Sequence, residues 1–138
     1  MRQAFRGELW TQCAAAAPEY GLRRMPSQNL PGLSDRTGYI NQGGNSGYQA
    51  IGLAHQFGAS RVLLLGYDMQ RTGGKSHWHG DHPKPLGNVA KLLPGQWVKQ
   101  MDRLALDAAA CGLEIINCSR QTALSCFPRT TIKECLDA

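Results

Sequence analysis

One short apolar run constrains the fold of this chain more than any other feature. Residues 61–66 read Arg-Val-Leu-Leu-Leu-Gly, so an extended strand here has aliphatic side chains on both of its faces. Parallel strands that helices cover on both faces have this composition. The run therefore predicts a buried parallel strand, and with it an α/β fold.

Helical and extended patterns alternate along the rest of the chain. The pattern is strongest over 94–111, where Trp97, Met101, Leu104 and Ala108 recur at helical spacing. The remaining patterns predict helices over 8–19, 46–57 and 130–136, an extended piece over 21–26, and strands over 37–41 and 113–117. Such alternation indicates a parallel sheet with helices on its faces. We predict one domain over residues 1–138, a partial Rossmann-like three-layer α/β fold with a small, mostly parallel sheet of three or four strands.

Composition argues against several classes of protein. A chain of 138 residues with 42% hydrophobic residues suits one domain with its own core. No apolar run approaches the roughly 20 residues of a membrane span, and the first ten residues lack the apolar stretch of a signal peptide. The five cysteines form no C-x-x-C pair, which favours a reduced, cytoplasmic protein over a disulfide scaffold.

The net charge of +5 favours anionic partners such as phosphates and nucleotides. Arg23-Arg24 is the only adjacent pair of basic residues, and no basic stripe carries interleaved aromatic residues. We therefore do not expect a nucleic acid as partner. Because the predicted sheet is small, the chain can also complete it by forming a homo-oligomer.

A glycine-rich turn separates a predicted strand from a predicted helix and is the first candidate site. Gly44, Asn45, Ser46 and Gly47 follow Gly43 directly, so the backbone can approach a ligand closely. The N–H groups and dipole of the helix start favour an anion there, and Asn45 or Ser46 can cap the helix. A tight turn with a capped helix and nothing bound is the alternative interpretation.

Polar residues also follow the other two central strands. Asp68 comes directly after the run 61–66, and Arg120 follows the strand predicted over 113–117. Open α/β sheets bind ligands in the crevice at the carboxyl ends of their strands. A carboxylate there can accept from sugar hydroxyls or bind a metal, and an arginine suits a phosphate. A capping aspartate and a surface salt bridge are the alternatives.

Three of the four histidines lie within six residues, in the segment His77-Trp78-His79-Gly80-Asp81-His82. Imidazoles and a carboxylate this close together can bind zinc and activate a water molecule, so His77, His79, Asp81 and His82 are candidate metal ligands. The same histidines can act as a general base or bind phosphate. Trp78, in a polar loop, can stack on a base or a sugar ring. A surface loop of solvated histidines is the fourth interpretation.

Two stretches of the sequence resemble known families. Asn45-Ser46-Gly47 and the run from Gly58 to Asp68 resemble the second half of bacterial sialyltransferases and the related domain of 6-hydroxymethylpterin pyrophosphokinase-like proteins. The likeness is greatest to small phage and prophage proteins. It lies in Gly73-Gly74-Lys75, the run from His77 to Pro83, Asn117-Cys118-Ser119, and the stretch from Ala123 through Leu124 to Phe127, and it spans about residues 8–130.

The resemblance implies a glycosyltransferase-like domain that binds a nucleotide or nucleotide-sugar but lacks the amino-terminal half of the related enzymes. It implies that the turn at Asn45 and the carboxylate of Asp68 contact the ligand. His79 or His82 is then the base that removes a proton from the acceptor hydroxyl. A metal-dependent hydrolase built on the histidine cluster is the second hypothesis. A non-catalytic phage protein, or an interaction module that oligomerises, is the third.

The metal hypothesis makes a prediction that separates it from the others. Protein purified without a chelator or a histidine tag is then expected to contain about one zinc ion per chain, because this ligand set is typical of zinc. Elemental analysis measures this, and His79→Ala is expected to lose the metal. Metal-free protein would leave the histidines as a general base or as phosphate ligands.

Overall fold

The computed structural model describes residues 6–71, 73–75, 82–83 and 93–137. Four helices lie in these ranges, α1 (Ala16–Tyr20), α2 (Ser46–Gln56), α3 (Leu93–Cys111) and α4 (Ile132–Leu136). Six strands accompany them, β1 (Trp10–Thr11), β2 (Arg23–Arg24), β3 (Ser27–Gln28), β4 (Ile40–Asn41), β5 (Arg61–Leu64) and β6 (Glu114–Asn117). No helix of the described ranges has both the length and the apolar character needed to cross a membrane.

The first four strands form two pairs, and one extended segment, 23–28, contributes a strand to each pair. β1 pairs with β2 and β3 pairs with β4, both in parallel, and only Met25 and Pro26 separate β2 from β3. The N–H of Arg23 donates to the carbonyl of Leu9 at 2.9 Å, whereas the carbonyl of Pro26 accepts from the N–H of Ile40 at 3.0 Å. The segment 23–28 therefore bonds to β1 at one edge and to β4 at the other, and Pro26, which has no N–H, lies at the break.

β5 and β6 form the longest ladder, with four parallel pairs from Arg61–Glu114 to Leu64–Asn117. Arg129 adds a single parallel bridge to Asn117. The α/β prediction and the parallel strands are thus confirmed. Among the described residues, however, pairing falls into three ladders of two strands each, and none joins β4 to β5. β4 is only two residues long, because Gly43 and Gly44 turn the chain directly after it with φ of +53° and +76°.

The predicted helix over 8–19 is wrong in its first half. Trp10 lies in β1 opposite Arg23, and α1 begins only at Ala16. The Trp10 ring packs edge-on against Phe57, with 5.0 Å between ring centroids, and the Arg23 guanidinium lies 5.7 Å from the Trp10 centroid. These contacts with residues distant in sequence outweigh a weak local preference for helix.

The core lies between the β5–β6 ladder and the helices α2 and α3. Met101, Leu104 and Ala108 of α3 are buried at the helical spacing that the sequence predicts. They meet Leu64 of β5 and Ile115 of β6 in one apolar cluster. The other buried members of the cluster are Tyr48, Ile51, Leu113, Leu124 and Phe127.

Buried polar side chains hold the loop 29–36 against this core. The Asn41 amide donates to the carbonyls of Pro31, at 3.1 Å, and of Gly32, at 2.9 Å. The Tyr48 hydroxyl also donates to the Gly32 carbonyl, at 2.7 Å, and burial raises the pKa of that phenol to about 12. The loop is therefore held by neutral donors, two of which satisfy the buried carbonyl of Gly32.

α3 binds the same loop from the other side. The carboxylate of Asp107 accepts from the N–H of Leu33 at 3.0 Å and pairs with Arg103 at 3.1 Å. A Cβ on Gly32 would lie 1.7 Å from the Asp107 carboxylate, and Gly32 has φ of +76°. Only glycine therefore fits where the loop crosses α3.

Asn41→Ala is expected to lower the free energy of unfolding by about 2 kcal/mol, because it removes the two hydrogen bonds that the buried Asn41 amide donates to the loop 29–36. Urea unfolding followed by circular dichroism measures the change. Gln42→Ala, at the exposed neighbouring position, is the matched control and is expected to stay within about 0.5 kcal/mol of the unmodified protein. Equal stability of the two variants would contradict this role for Asn41.

Candidate functional site

The loops that follow β4, β5 and β6 meet at the carboxyl edge of the strands, and Tyr67 joins them. Its N–H donates to the Ser119 hydroxyl at 2.8 Å, and its carbonyl accepts from the Thr122 hydroxyl at 2.6 Å. Its own hydroxyl donates to the carbonyl of Gly47 at 3.0 Å. Burial raises the pKa of the Tyr67 phenol, so the ring stays neutral and remains a donor at physiological pH.

The glycine-rich turn at the start of α2 has the geometry that the sequence predicts. Asn45 is in an extended conformation, and its side-chain oxygen accepts from the N–H of Tyr48 at 2.9 Å, which confirms it as the helix cap. A Cβ on Gly43 would lie 2.1 Å from the Tyr48 ring, so the turn passes very close to the core. The Trp97 indole fixes the other side of the turn by donating to the Gly44 carbonyl at 3.1 Å.

Two N–H groups at the start of α2 point out of the helix without an intrahelical acceptor. They belong to Ser46, which is exposed, and to Gly47, which is half-buried. The first turn of α2 holds no acidic residue. The positive end of the helix dipole is therefore not neutralised by the helix itself.

Asp68 directly follows Tyr67, the residue whose hydroxyl bonds to Gly47. Asp68 is half-buried, and its backbone carbonyl accepts from the N–H of Ala123 at 2.8 Å. The following residue, Met69, has φ of +48° and is the only described non-glycine residue with a positive φ. Strained backbone of this kind clusters at functional sites, and here it fixes the direction of the chain directly after Asp68.

Asn117 organises the loop after β6. It is fully buried, its side-chain oxygen accepts from the N–H of Ser119 at 2.9 Å, and its amide donates to the Thr122 hydroxyl at 3.1 Å. Both of these hydroxyl-bearing residues in turn bond to Tyr67. The sequence analysis named Asn117 and Ser119 only within a stretch that resembles phage proteins and gave them no role, although an asparagine ending the apolar strand 113–117 is a signal that can reveal a buried polar network.

A cavity of about 650 Å³ opens beside this loop, between the end of β6 and α4. Arg120 is exposed at its wall, and Arg129 donates from one guanidinium nitrogen to the carbonyls of Ser119 and Arg120, at 3.2 Å each. The remaining lining residues are Cys118, Thr130, Thr131, Ile132 and Glu134. The cavity therefore places two guanidinium groups at the carboxyl end of β6.

Glu134 is the one carboxylate that lines this cavity. It accepts from the hydroxyl of Thr130 and from the N–H and hydroxyl of Thr131, and these bonds lower its pKa to about 2. The Thr131 hydroxyl accepts in return from the Glu134 N–H, which completes a capping box at the start of α4. The charge of Glu134 thus serves the helix start.

Most of the predicted histidine cluster lies outside the described residues. This applies to His77, Trp78, His79 and Asp81, whereas His82 is described and is half-buried. Among the described residues, no group of three or more His, Cys, Asp or Glu side chains is placed to hold a metal ion. The zinc site and the catalytic histidines stay predictions.

The structure brings three of the predicted sites to one edge of the strands. The turn 43–47, Asp68 and Arg120 follow β4, β5 and β6 respectively, and Tyr67 and Ser119 connect them. Comparison with protein-family models, curated proteins and solved structures gives no match to this chain. The likeness to sialyltransferases and phage proteins therefore stays a prediction.

Gly47→Ala is expected to disturb this site, because the new Cβ would lie 2.9 Å from the Tyr67 ring. Tyr67 cannot easily move away, since two backbone hydrogen bonds and one hydroxyl hydrogen bond hold it. We expect a loss of about 1–3 kcal/mol of stability, as overpacking of a fixed contact costs. Thermal unfolding measures the loss of stability, and near-ultraviolet circular dichroism measures the change in packing of the aromatic side chains, Tyr67 among them.

Gly52→Ala in the same helix is the matched control. Its Cβ would lie 3.4 Å from Ile40, an ordinary contact, and alanine favours helix by about 1 kcal/mol over glycine. Gly52→Ala is therefore expected to keep or raise the stability. A Gly47→Ala protein as stable as Gly52→Ala would show that Tyr67 is not tightly held against α2.

Proposed function

We propose that this domain binds a nucleotide or nucleotide-sugar at the carboxyl edge of its parallel strands, as a glycosyltransferase-like domain. The observation that carries the proposal is the set of hydrogen bonds at Tyr67, which joins the loop after β5 to the loop after β6 and to the start of α2. Parallel α/β folds bind ligands in this position, because strand-end loops and helix starts converge there.

The start of α2 supplies a site for a phosphate group. Ser46 and Gly47 offer N–H donors, and the absence of acidic residues from the first turn of α2 leaves the helix dipole to attract an anion. The side chain of Asn45 is already occupied by the N–H of Tyr48. We therefore assign recognition of the phosphate to backbone N–H groups and the role of a cap to Asn45.

Arg120 and Asp68 supply the remaining polar contacts. The exposed guanidinium of Arg120 suits a second phosphate or a sugar carboxylate, in keeping with the net charge of +5. The half-buried carboxylate of Asp68 suits the hydroxyl groups of a ribose or another sugar. Together they match the parts of a nucleotide-sugar, which is anionic at its phosphates and rich in donors elsewhere.

For transfer of the sugar, a base must take the proton of the acceptor hydroxyl as its oxygen attacks the sugar carbon and the phosphate leaves. His79 or His82 is proposed for this step, since imidazole exchanges protons near neutral pH. Arg120 and the N–H groups of α2 then stabilise the negative charge that the leaving phosphate gains. Binding of the nucleotide does not depend on this step and is tested separately.

Ser46→Pro tests the phosphate site with little disturbance of the fold. Proline suits the first position of a helix, and the extended conformation of Asn45 suits a residue that precedes proline. The change removes the Ser46 N–H, whereas Ser46→Ala keeps it. We expect Ser46→Pro to weaken binding of cytidine monophosphate by about tenfold or more, as a lost hydrogen bond to a charged group costs.

Isothermal titration calorimetry with cytidine monophosphate, and with cytidine as the phosphate-free probe, measures this change. Ser46→Ala is expected to bind as the unmodified protein does, and Arg120→Ala is expected to bind more weakly. Equal affinity of all four proteins, or equal affinity for cytidine and its monophosphate, would overturn the proposal. Binding without transfer of sugar to any acceptor would leave a nucleotide-binding module.

A further inference from the structure

Two cysteine side chains meet where α4 packs on the end of β6. The sulfur atoms of Cys118 and Cys135 lie 3.6 Å apart, a van der Waals contact. We propose that Cys118 and Cys135 form a reversible dithiol–disulfide pair that joins β6 to α4 and responds to small-molecule disulfides. This modification site involves no nucleotide, so it goes beyond the proposed function.

The fold holds each thiol in place from its own element. The N–H of Cys118 donates to the Leu64 carbonyl at 2.9 Å, which extends the β5–β6 ladder by one hydrogen bond. Cys135 is the one buried residue of α4, so this short helix packs on the domain through the Cys135 side chain. A disulfide needs the sulfurs to approach to about 2.05 Å, and the other residues of α4 are exposed, so this helix can move toward β6 without displacing other buried side chains of its own.

The other three cysteines are placed differently. Cys13 and Cys111 are exposed, and the sulfur–sulfur contact found among the described residues involves neither of them. Cys126 is half-buried, and burial together with the charge of Asp102 raises its pKa to about 11. Since the thiolate is the reacting species, a raised pKa slows both Cys126 and Cys118. What distinguishes Cys118 is therefore the second sulfur, that of Cys135, in contact with it.

The exchange proceeds in two balanced steps. The thiol of Cys118, which is the more exposed of the two, loses its proton and attacks one sulfur of oxidised glutathione, releasing one glutathione thiolate. Cys135 then loses its proton and attacks the Cys118 sulfur, forming the intramolecular bond and releasing the second glutathione. In total the protein loses two protons and two electrons, which convert one oxidised glutathione into two glutathione thiols.

Burial and the neighbouring Cys135 thiol raise the pKa of Cys118, so the Cys118 thiol is protonated at neutral pH and reacts faster as the pH rises. The bond would close a loop over residues 119–134, which holds Arg120 and Arg129 together with the buried Leu124 and Phe127. Oxidation therefore fixes both walls of the cavity at the end of β6. Reduction releases α4 again.

The test uses the full chain with Cys13, Cys111 and Cys126 replaced by serine, treated with oxidised glutathione and then freed of it. We expect a loss of about 2 Da on intact mass, the mass of the two thiol hydrogens, and recovery of that mass with dithiothreitol. In the unmodified protein the exposed Cys13 and Cys111 are expected to carry at most glutathione, and peptide mapping is expected to place the intramolecular bond between Cys118 and Cys135.

Cys135→Ala in the same background is the control. It is expected to stop at the mixed disulfide of Cys118 with glutathione, because the resolving thiol is missing. If Cys118 and Cys135 keep their thiols in the unmodified, folded protein under oxidant, or if mapping places the bond between other cysteines, the proposal is overturned. Both readouts are masses, so they are independent of whether cytidine monophosphate binds.

Discussion

Hydrogen bonds between β5 and β6 run in parallel register from Arg61–Glu114 to Leu64–Asn117, and the loops of the candidate site begin where this ladder ends. Because the two strands end side by side, Tyr67 after β5 comes within hydrogen-bond distance of Ser119 after β6. The same ladder contributes Leu64 and Ile115 to the apolar cluster that α3 covers. Packing beneath the ladder and chemistry at its edge thus rest on one set of backbone bonds.

Polar groups at this edge divide into those that hold the loops and those that remain available to a ligand. Asn45, Asn117 and Ser119 each bond to backbone N–H groups of the protein. The N–H groups of Ser46 and Gly47 and the guanidinium of Arg120 are left to face solvent or a ligand. These unpaired donors favour an anion as ligand, because the oxygen atoms of an anion accept hydrogen bonds from them.

Sequence patterns predict the elements whose residues repeat regularly. The aliphatic run 61–66 predicts β5, and apolar residues at helical spacing predict α3 from 94–111, as found over Leu93–Cys111. Asn45 as a helix cap also follows from local chemistry, since the cap bonds to a residue three positions away. Local patterns fail at Trp10, because its strand exists only through pairing with Arg23 and contact with Phe57.

By itself, the sequence determined the α/β character, the strand β5, the long helix α3 and the glycine-rich turn that begins α2, whereas it overestimated the burial of β5, in which only Leu64 is buried. Each depends on neighbours within a few residues, where side-chain periodicity and capping act. The tertiary structure alone decided that Tyr67 joins three loops, that Asn41 anchors the loop 29–36, and that Cys118 meets Cys135. These contacts join residues 9 to 55 positions apart, and no local pattern specifies them, because they exist only once the core has packed.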